Sequence, residues 1–258
     1  MAPAPSFDGS SRVHAGAWAA LGRSDLEPST CWDFPDQGSR GLRLGDPAFN
    51  GVTPVGCVVN LVRRYTRPGD LVLDPMSGSG TVLDVTISLG RRVAAFDLVP
   101  RRRDIARADA RLCPVRSGVV ALVIVDSPYS DNVVYGGGDG CLGRIPCREP
   151  RFYEEMDRVA VEAHRVLRPN GVLAWVISDE YRRSTYTPTG FRMFDVLARR
   201  FRPIDTVVLV RHHDRSASPM WEHRARRFNF FLRGFKFLFI MRKEKEWNRN
   251  GETTGTRG

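Results

Sequence analysis

Leu71-Val-Leu-Asp-Pro-Met-Ser-Gly-Ser-Gly-Thr81 is an apolar run that ends in an aspartate and breaks into turn residues. A buried parallel strand reads this way, apolar on both faces, with its last carboxylate delivered to a ligand-binding edge. Gly78 and Gly80 then let the backbone pass close to a ligand. Val123-Ile-Val-Asp-Ser-Pro-Tyr129 repeats the design later in the chain: strand, terminal aspartate, then a stiff Pro-Tyr corner with an aromatic face. The first stretch reads as a cradle for a cofactor and the second as the place of chemistry.

Working outward, Thr53-Pro54 opens a helix over 54–66 with Val55, Val58, Val59 and Val62 on one stripe, and Arg67-Pro-Gly-Asp70 turns into the first strand. The glycine turn leads to a helix over 81–89, stopped by Gly90. A second strand, 93–97, again ends in aspartate, and Pro100 is expected to start a helix over 101–108. Strands follow at 119–125, 172–177, 207–210 and 235–241, with helices at 152–167 and 191–201. Strands alternating with helices predict a doubly wound, mostly parallel α/β sheet, and the loop-joined last two strands predict a closing antiparallel hairpin. Asp74, Asp97 and Asp126 all fall at the carboxyl ends of strands, where such sheets bind ligands. Three such carboxylates are hard to explain as packing, because a buried unpaired carboxylate is costly.

The chain has 258 residues, 42% hydrophobic and 26% charged, which suits one folded domain with a full core. Residues 1–30 read as a loose arm, 31–242 as a single domain and 243–258 as a frayed tail. No apolar run is long enough for a membrane span, and the first residues lack an export pattern, so the expected location is the cytoplasm. Five irregularly spaced cysteines form no CxxC, and the histidines of 211–234 lack companion ligands, so no metal site is expected.

The net charge of +10 favours a polyanionic partner, nucleic acid first. Residues 211–234 interleave Arg211, Arg215, Arg224, Arg226, Arg227 and Arg233 with Trp221 and several phenylalanines. Phosphates and unstacked bases call for that mixture. With the glycine-rich stretch 131–150, this loop is the expected nucleic-acid face.

Two phosphate-binding patterns fail at Gly78 and Gly80. A P-loop needs a lysine that is absent, and a dinucleotide fingerprint needs a third glycine where Leu83 stands. Asp-Pro-Met-Ser-Gly-Ser-Gly-Thr, residues 74–81, instead resembles motif I of S-adenosylmethionine-dependent methyltransferases that act on exocyclic amino groups of nucleobases. Phe96-Asp97 resembles motif II, Ala108-Asp109-Ala110-Arg111 the segment that meets the cofactor adenine, and Asp126-Ser-Pro-Tyr129 the catalytic motif IV. Residues 32–66 fit motif X, and Arg165-Val-Leu-Arg-Pro-Asn-Gly-Val-Leu173 resembles the helix-turn-strand after motif IV.

The resemblance implies a seven-stranded methyltransferase sheet and S-adenosylmethionine as cofactor. It implies cofactor contacts from Thr53, Asp74, Pro75, Ser77, Gly78, Gly80, Thr81, Asp97 and Asp109. It also implies that Asp126 and the carbonyl of Ser127 accept amino hydrogens of the target while Pro128 shapes the corner and Tyr129 stacks on the base. The partner expected is DNA, with RNA a further candidate, and the enzyme a monomer or homodimer. The short gap between motifs I and IV leaves no room for a separate recognition domain, so short or relaxed sequence specificity is expected. Ser127 stands where the family usually has proline. Reading the motif from Asp126 favours adenine N6; reading it from Ser127 favours cytosine N4 but loses the match of Pro128 and Tyr129. Two rivals remain at this point: an RNA guanine-N2 methyltransferase, and a catalytically silent nucleic-acid-binding partner subunit.

Overall fold

The computed structural model describes residues 26–35, 44–46, 52–129, 140–212 and 218–244. Ten strands are formed among them: β1 (Cys31–Trp32), β2 (Leu71–Asp74), β3 (Arg92–Asp97), β4 (Ala106–Arg107), β5 (Val120–Asp126), β6 (Leu167–Ile177), β7 (Glu180–Arg182), β8 (Thr185–Thr187), β9 (Arg202–Val210) and β10 (Phe235–Arg242). The helices are α1 (Val55–Tyr65), α2 (Thr81–Ser88), α3 (Pro150–Val166), α4 (Thr189–Ala198) and α5 (Pro219–Arg227).

Eight strands make one sheet in the order β1-β9-β10-β6-β5-β2-β3-β4, and β7 and β8 form a separate hairpin. β10 lies antiparallel between β9 and β6, while the other neighbours run parallel. The doubly wound sheet with its antiparallel hairpin therefore stands as expected. It has one strand more than seven, because Cys31–Trp32, at the start of the expected domain, adds β1 at the outer edge beside β9.

Side-chain alternation splits the core between the two faces. Val72, Leu122, Ile124, Val176, Leu238 and Ile240 meet α1 and α2 on one face. Leu73, Val123, Val125, Trp175, Ile177 and Phe239 meet α3 and α4 on the other. The predicted valine stripe of α1 is fully buried, each side chain contributing about 1.5–3 kcal/mol. The end of the arm meets α1, where Glu27 N donates to the buried Asn60 at 2.8 Å, and just past the arm Phe34 lies so close over Gly56 that an added Cβ would sit 2.5 Å from its ring.

Three expectations change. Residues 101–108 form no helix. The Arg102 guanidinium is drawn to Asp84 at 2.7 Å and to Asp104 at 2.6 Å, and Ala106–Arg107 pairs with the end of β3, so backbone and charge are satisfied without a helix. The loop 211–234 contains α5, started by Ser218, whose Oγ accepts from Trp221 N at 3.4 Å, with Pro219 in the first turn. The turn at Asn170-Gly171 lies inside β6 and not ahead of it: pairing with β5 begins at Leu167, skips residues 168–171, where Asn170 takes φ 61°, and resumes at Val172 as expected. Most of the arm 1–30, the tail beyond 244, Arg215, and 131–139 within the expected loop 131–150 lie outside the described residues. No described helix is long and apolar enough to cross a membrane.

Candidate active site

The strand order brings the carboxyl ends of β3, β2, β5 and β6 into one row, so Asp97, Asp74 and Asp126 share an edge. After β2 the chain makes a tight turn: Gly80 N donates to Ser77 O at 2.7 Å, Ser77 N to Phe96 O at 2.8 Å, and Ser77 Oγ to Asp74 O at 3.0 Å. Gly78 and Gly80 have φ of 43° and 82°, which only glycine adopts without strain. Pro75 and Thr81 are buried in the same turn, and Thr81 Oγ1 lies 3.0 Å from Ser79 Oγ. A Cβ on Gly80 would also lie 2.4 Å from the Arg102 guanidinium. Gly45 and Asp46 cross the turn, donating backbone N–H groups to Asp84 Oδ2 and Ser79 O, each at 2.8 Å.

Asp74 is 3% exposed, and burial pushes its carboxyl up to about 7. The Met76 N–H at 3.1 Å opposes that rise, and the charges of Asp97 and Asp126 add to it. Asp97 accepts the backbone N–H groups of Gly78 and Val99, both at 2.9 Å. This edge gathers negative charge in a chain that is basic overall. A bound phosphate would be repelled there, whereas a cationic ligand with hydroxyls is suited.

Asp109 lies beside the end of β3, where Ala108 N donates to Asp97 O at 3.1 Å. Its carboxylate is held by Arg111 through Nε at 2.9 Å and Nη2 at 2.5 Å, which keeps it below the usual carboxylate range. Arg111 also reaches Glu155 of α3 at 2.7 Å.

At the end of β5, Thr53 Oγ1 donates to Asp126 Oδ2 at 2.7 Å. Thr53, expected among the cofactor contacts, thus orients the second carboxylate. Lys236 of β10 approaches both oxygens of Asp126 at 3.2 Å, and its ammonium stands 5.9 Å from the centre of the Tyr129 ring. The sequence reading missed this lysine. It is the only cation within the apolar run Phe235–Met241, and that signal was available. Cys57 of α1 lies nearby, fully buried; burial, and then the Asp126 charge, drive its thiol far above the usual range, so it offers no nucleophile.

Ser127 faces the other way. It is 2% exposed, and its Oγ accepts the indole N–H of fully buried Trp175 at 3.0 Å. The serine hydroxyl thus satisfies a buried core donor. Pro128 and Tyr129 are half-buried at the rim.

Beyond β10 lies the basic, aromatic surface. α5 has no buried residue. Arg224 stacks over Trp221 at 5.2 Å, Arg227 over Phe228 at 5.5 Å, and Arg233 over Tyr186 of β8 at 5.6 Å, while Tyr181 and Phe230 stack at 5.7 Å. Arg226 pairs with Glu222 at 3.1 Å, and Arg211 closes the base of the excursion through its backbone bond to Gly234 at 2.9 Å. A cleft of about 270 Å³ lies between Ser178, Asp179, Phe231, Arg233, Phe235 and Phe237. The β7–β8 hairpin was not foreseen, although Arg183-Ser184 takes positive φ at its tip.

Residues 12–108 match the family model N6_N4_Mtase, described as DNA methylase. That span holds the glycine turn and Asp97 and stops before Asp126. Among solved structures, the [4+2]-cyclase SpnF is similar with a TM-score of 0.50 at 14% identity, covering 79% of this chain and 88% of that one. TrmN from Thermus thermophilus gives 0.48 at 19% identity over 75% of this chain, which spans 50% of the TrmN chain. A SAM-dependent methyltransferase from Methanosarcina mazei gives 0.48 at 14% identity, covering 72% of this chain and 97% of that one. The likeness to the cyclase shows the fold and nothing about the reaction. No curated protein matches the sequence.

Proposed function

We propose that this chain transfers a methyl group from S-adenosylmethionine to an exocyclic amino group of a base in DNA, adenine N6 in preference to cytosine N4. The observation that carries the reading is Asp126, held by Thr53 at 2.7 Å beside Tyr129 and in one row with the buried Asp74 and the Asp97 turn. The match of residues 12–108 to the DNA methylase family model supports it.

The residues of the cradle fit the cofactor. Asp97 has acceptor capacity for ribose hydroxyls beyond its two backbone bonds, and the positive-φ turn at Gly78 and Gly80 admits close approach. The negative edge suits a sulfonium and an α-ammonium group. When bound, S-adenosylmethionine supplies an activated methyl on a positively charged sulfur.

An exocyclic amine is a weak nucleophile because its lone pair is delocalised into the ring. Asp126 and the carbonyl of Ser127 accept its two hydrogens and localise that pair. A bound cofactor would supply its methyl to that lone pair, and the Asp126 carboxylate, already accepting an amino hydrogen, would take up the proton the amine loses. No covalent enzyme intermediate is required, in keeping with the inert Cys57. Catalysis is positioning and local electrostatics. Tyr129 offers its ring to a base that has left the duplex or was never paired.

The adenine preference rests on the frame of motif IV. A frame beginning at Ser127 needs that hydroxyl at the reacting amine, and it is engaged with Trp175 at 3.0 Å. The frame beginning at Asp126 keeps Pro128 and Tyr129 in register. Arg211, Trp221, Arg224, Arg226, Arg227 and Arg233 supply the nucleic-acid face, with cations paired to aromatic rings as unstacked strands require.

The test is labelled methyl transfer to duplex DNA, single-stranded DNA and tRNA, followed by nucleoside digestion. N6-methyladenine in DNA is the expected product. N4-methylcytosine would move the frame to Ser127, N2-methylguanosine in RNA would replace the substrate class, and absence of transfer with intact cofactor binding would leave a silent nucleic-acid-binding subunit.

A further inference from the structure

Lys236 sits at the centre of the candidate site and has no place in the reaction just described. Its ammonium lies 3.2 Å from both oxygens of Asp126, and Thr53 already occupies one of those oxygens at 2.7 Å. The same ammonium caps the Tyr129 ring at 5.9 Å. Both members of the pair are largely shielded, with side-chain exposures of 12% and 17%. The lysine thus holds, with one group, the two features that a target base must use: the carboxylate that accepts an amino hydrogen and the aromatic face that takes a ring.

Its charge is also wrong for the reaction. Methyl transfer consumes a sulfonium and builds positive charge on the attacking nitrogen, so it needs the Asp126 carboxylate uncompensated. A fixed ammonium against that carboxylate cancels its field and repels the sulfonium. Lys236 must therefore leave before chemistry. It is able to, because it rides on a flexible four-carbon stem at the first turn-side positions of β10, beside the exposed Phe235 and the Arg233 rim. A group that draws it away has to be an anion. The backbone phosphate of a nucleic-acid strand lying on the basic, aromatic surface is such a group, and a free nucleoside carries none.

We infer that Lys236 is an internal stand-in for the target base, a specificity residue that keeps free nucleosides out and yields only to a strand whose phosphate rebinds its ammonium. This rests on the reading of Asp126 and Tyr129 as the groups that hold the base. The site then selects for polynucleotide before any base sequence is read.

The test uses the full chain and equilibrium dialysis, with adenosine, cytidine and guanosine, their 3′,5′-bisphosphates, and a mixed-sequence single-stranded oligonucleotide. The wild type is expected to bind at least one bisphosphate about tenfold or more tightly than its nucleoside. In Lys236→Met, which keeps the apolar stem, the nucleoside gains about tenfold and that preference shrinks, while Lys236→Arg, which keeps the charge, retains the preference. A wild type that binds nucleoside and bisphosphate equally overturns the proposal, and needs no variant to fold. So does a folded Lys236→Met that binds nucleosides no better than the wild type. Methyl transfer to the oligonucleotide is scored separately: its absence in the wild type counts against the proposed function, whereas the binding ratios judge Lys236.

Discussion

The two aspartate-tipped edges of the sheet are built by opposite strategies. The carboxylates of the glycine cradle are bonded by near neighbours. The bonds that shape Asp74, the turn and Asp97 span 2, 3 and 19 residues. The edge at Asp126 is made by distant ones: Trp175, Thr53 and Lys236 reach it across 48, 73 and 110 residues. A local site survives as a motif because its geometry is written in consecutive residues. A site assembled from four elements depends on the whole sheet, and its supporting residues leave no spacing to find. Among the described residues the carboxylates of Asp74 and Asp97 accept backbone N–H groups, whereas Asp126 is masked by the Lys236 ammonium.

The sharpest way to separate the edges is Asp126→Ala. Methyl transfer should fall by about a thousandfold or more, because the acceptor that localises the amine is lost, while S-adenosylmethionine affinity by isothermal titration stays within about threefold. Loss of cofactor binding in that variant would show that the edges are one site and not two. The reciprocal change is Gly80→Val. A Cβ there meets the Arg102 guanidinium at 2.4 Å on a backbone with φ of 82°. Strain of about 1–3 kcal/mol and a cofactor affinity lowered about tenfold are expected, with oligonucleotide binding unchanged in an anisotropy assay.

The same contrast explains what the sequence made legible. The strands at 71–74, 92–97 and 120–126 were readable because apolar runs ended abruptly at aspartates. The helix expected over 101–108 failed for a reason no local rule carries: Arg102 finds Asp84 on the neighbouring helix. Helix α5 was missed although Ser218-Pro219 is a start signal, because its surroundings read as an uninterrupted basic loop. At the site, the acids and the Pro-Tyr corner were visible, but the partners of Asp126 and Ser127 were not. The serine looked like a flaw in motif IV; its hydroxyl is spent on an indole 48 positions away.

That bond gives the next test. Ser127→Ala removes the acceptor of a buried indole N–H and should cost about 1–3 kcal/mol in denaturant unfolding. Trp175→Phe in the same background should restore most of the loss, because both polar partners are then gone. If Ser127→Ala is neutral, the hydroxyl is not satisfying Trp175, and the Ser127 frame of motif IV regains ground.

The smallest expected effect probes the cradle's unmasked charge. Burial holds the Asp74 carboxyl at about 7, above the value of about 3.9 that it has in an unfolded chain. Between those values the folded state keeps a proton that the unfolded state has lost, so Asp74 destabilises the fold as pH rises from about 4 to about 7, and its contribution then levels off. A cationic ligand reverses the preference, because it favours the ionised carboxylate. S-adenosylmethionine should therefore bind several-fold more tightly at pH 8 than at pH 6, a change of less than about 1.4 kcal/mol. The ligand's own α-amino group titrates in this range, so the informative quantity is the difference between the wild type and Asp74→Asn. That variant should lose the part of the pH dependence due to Asp74 and gain stability above pH 7. If both proteins show the same dependence, Asp74 is a structural anchor of the turn, and the attraction for the cofactor's charge has to come from Asp97.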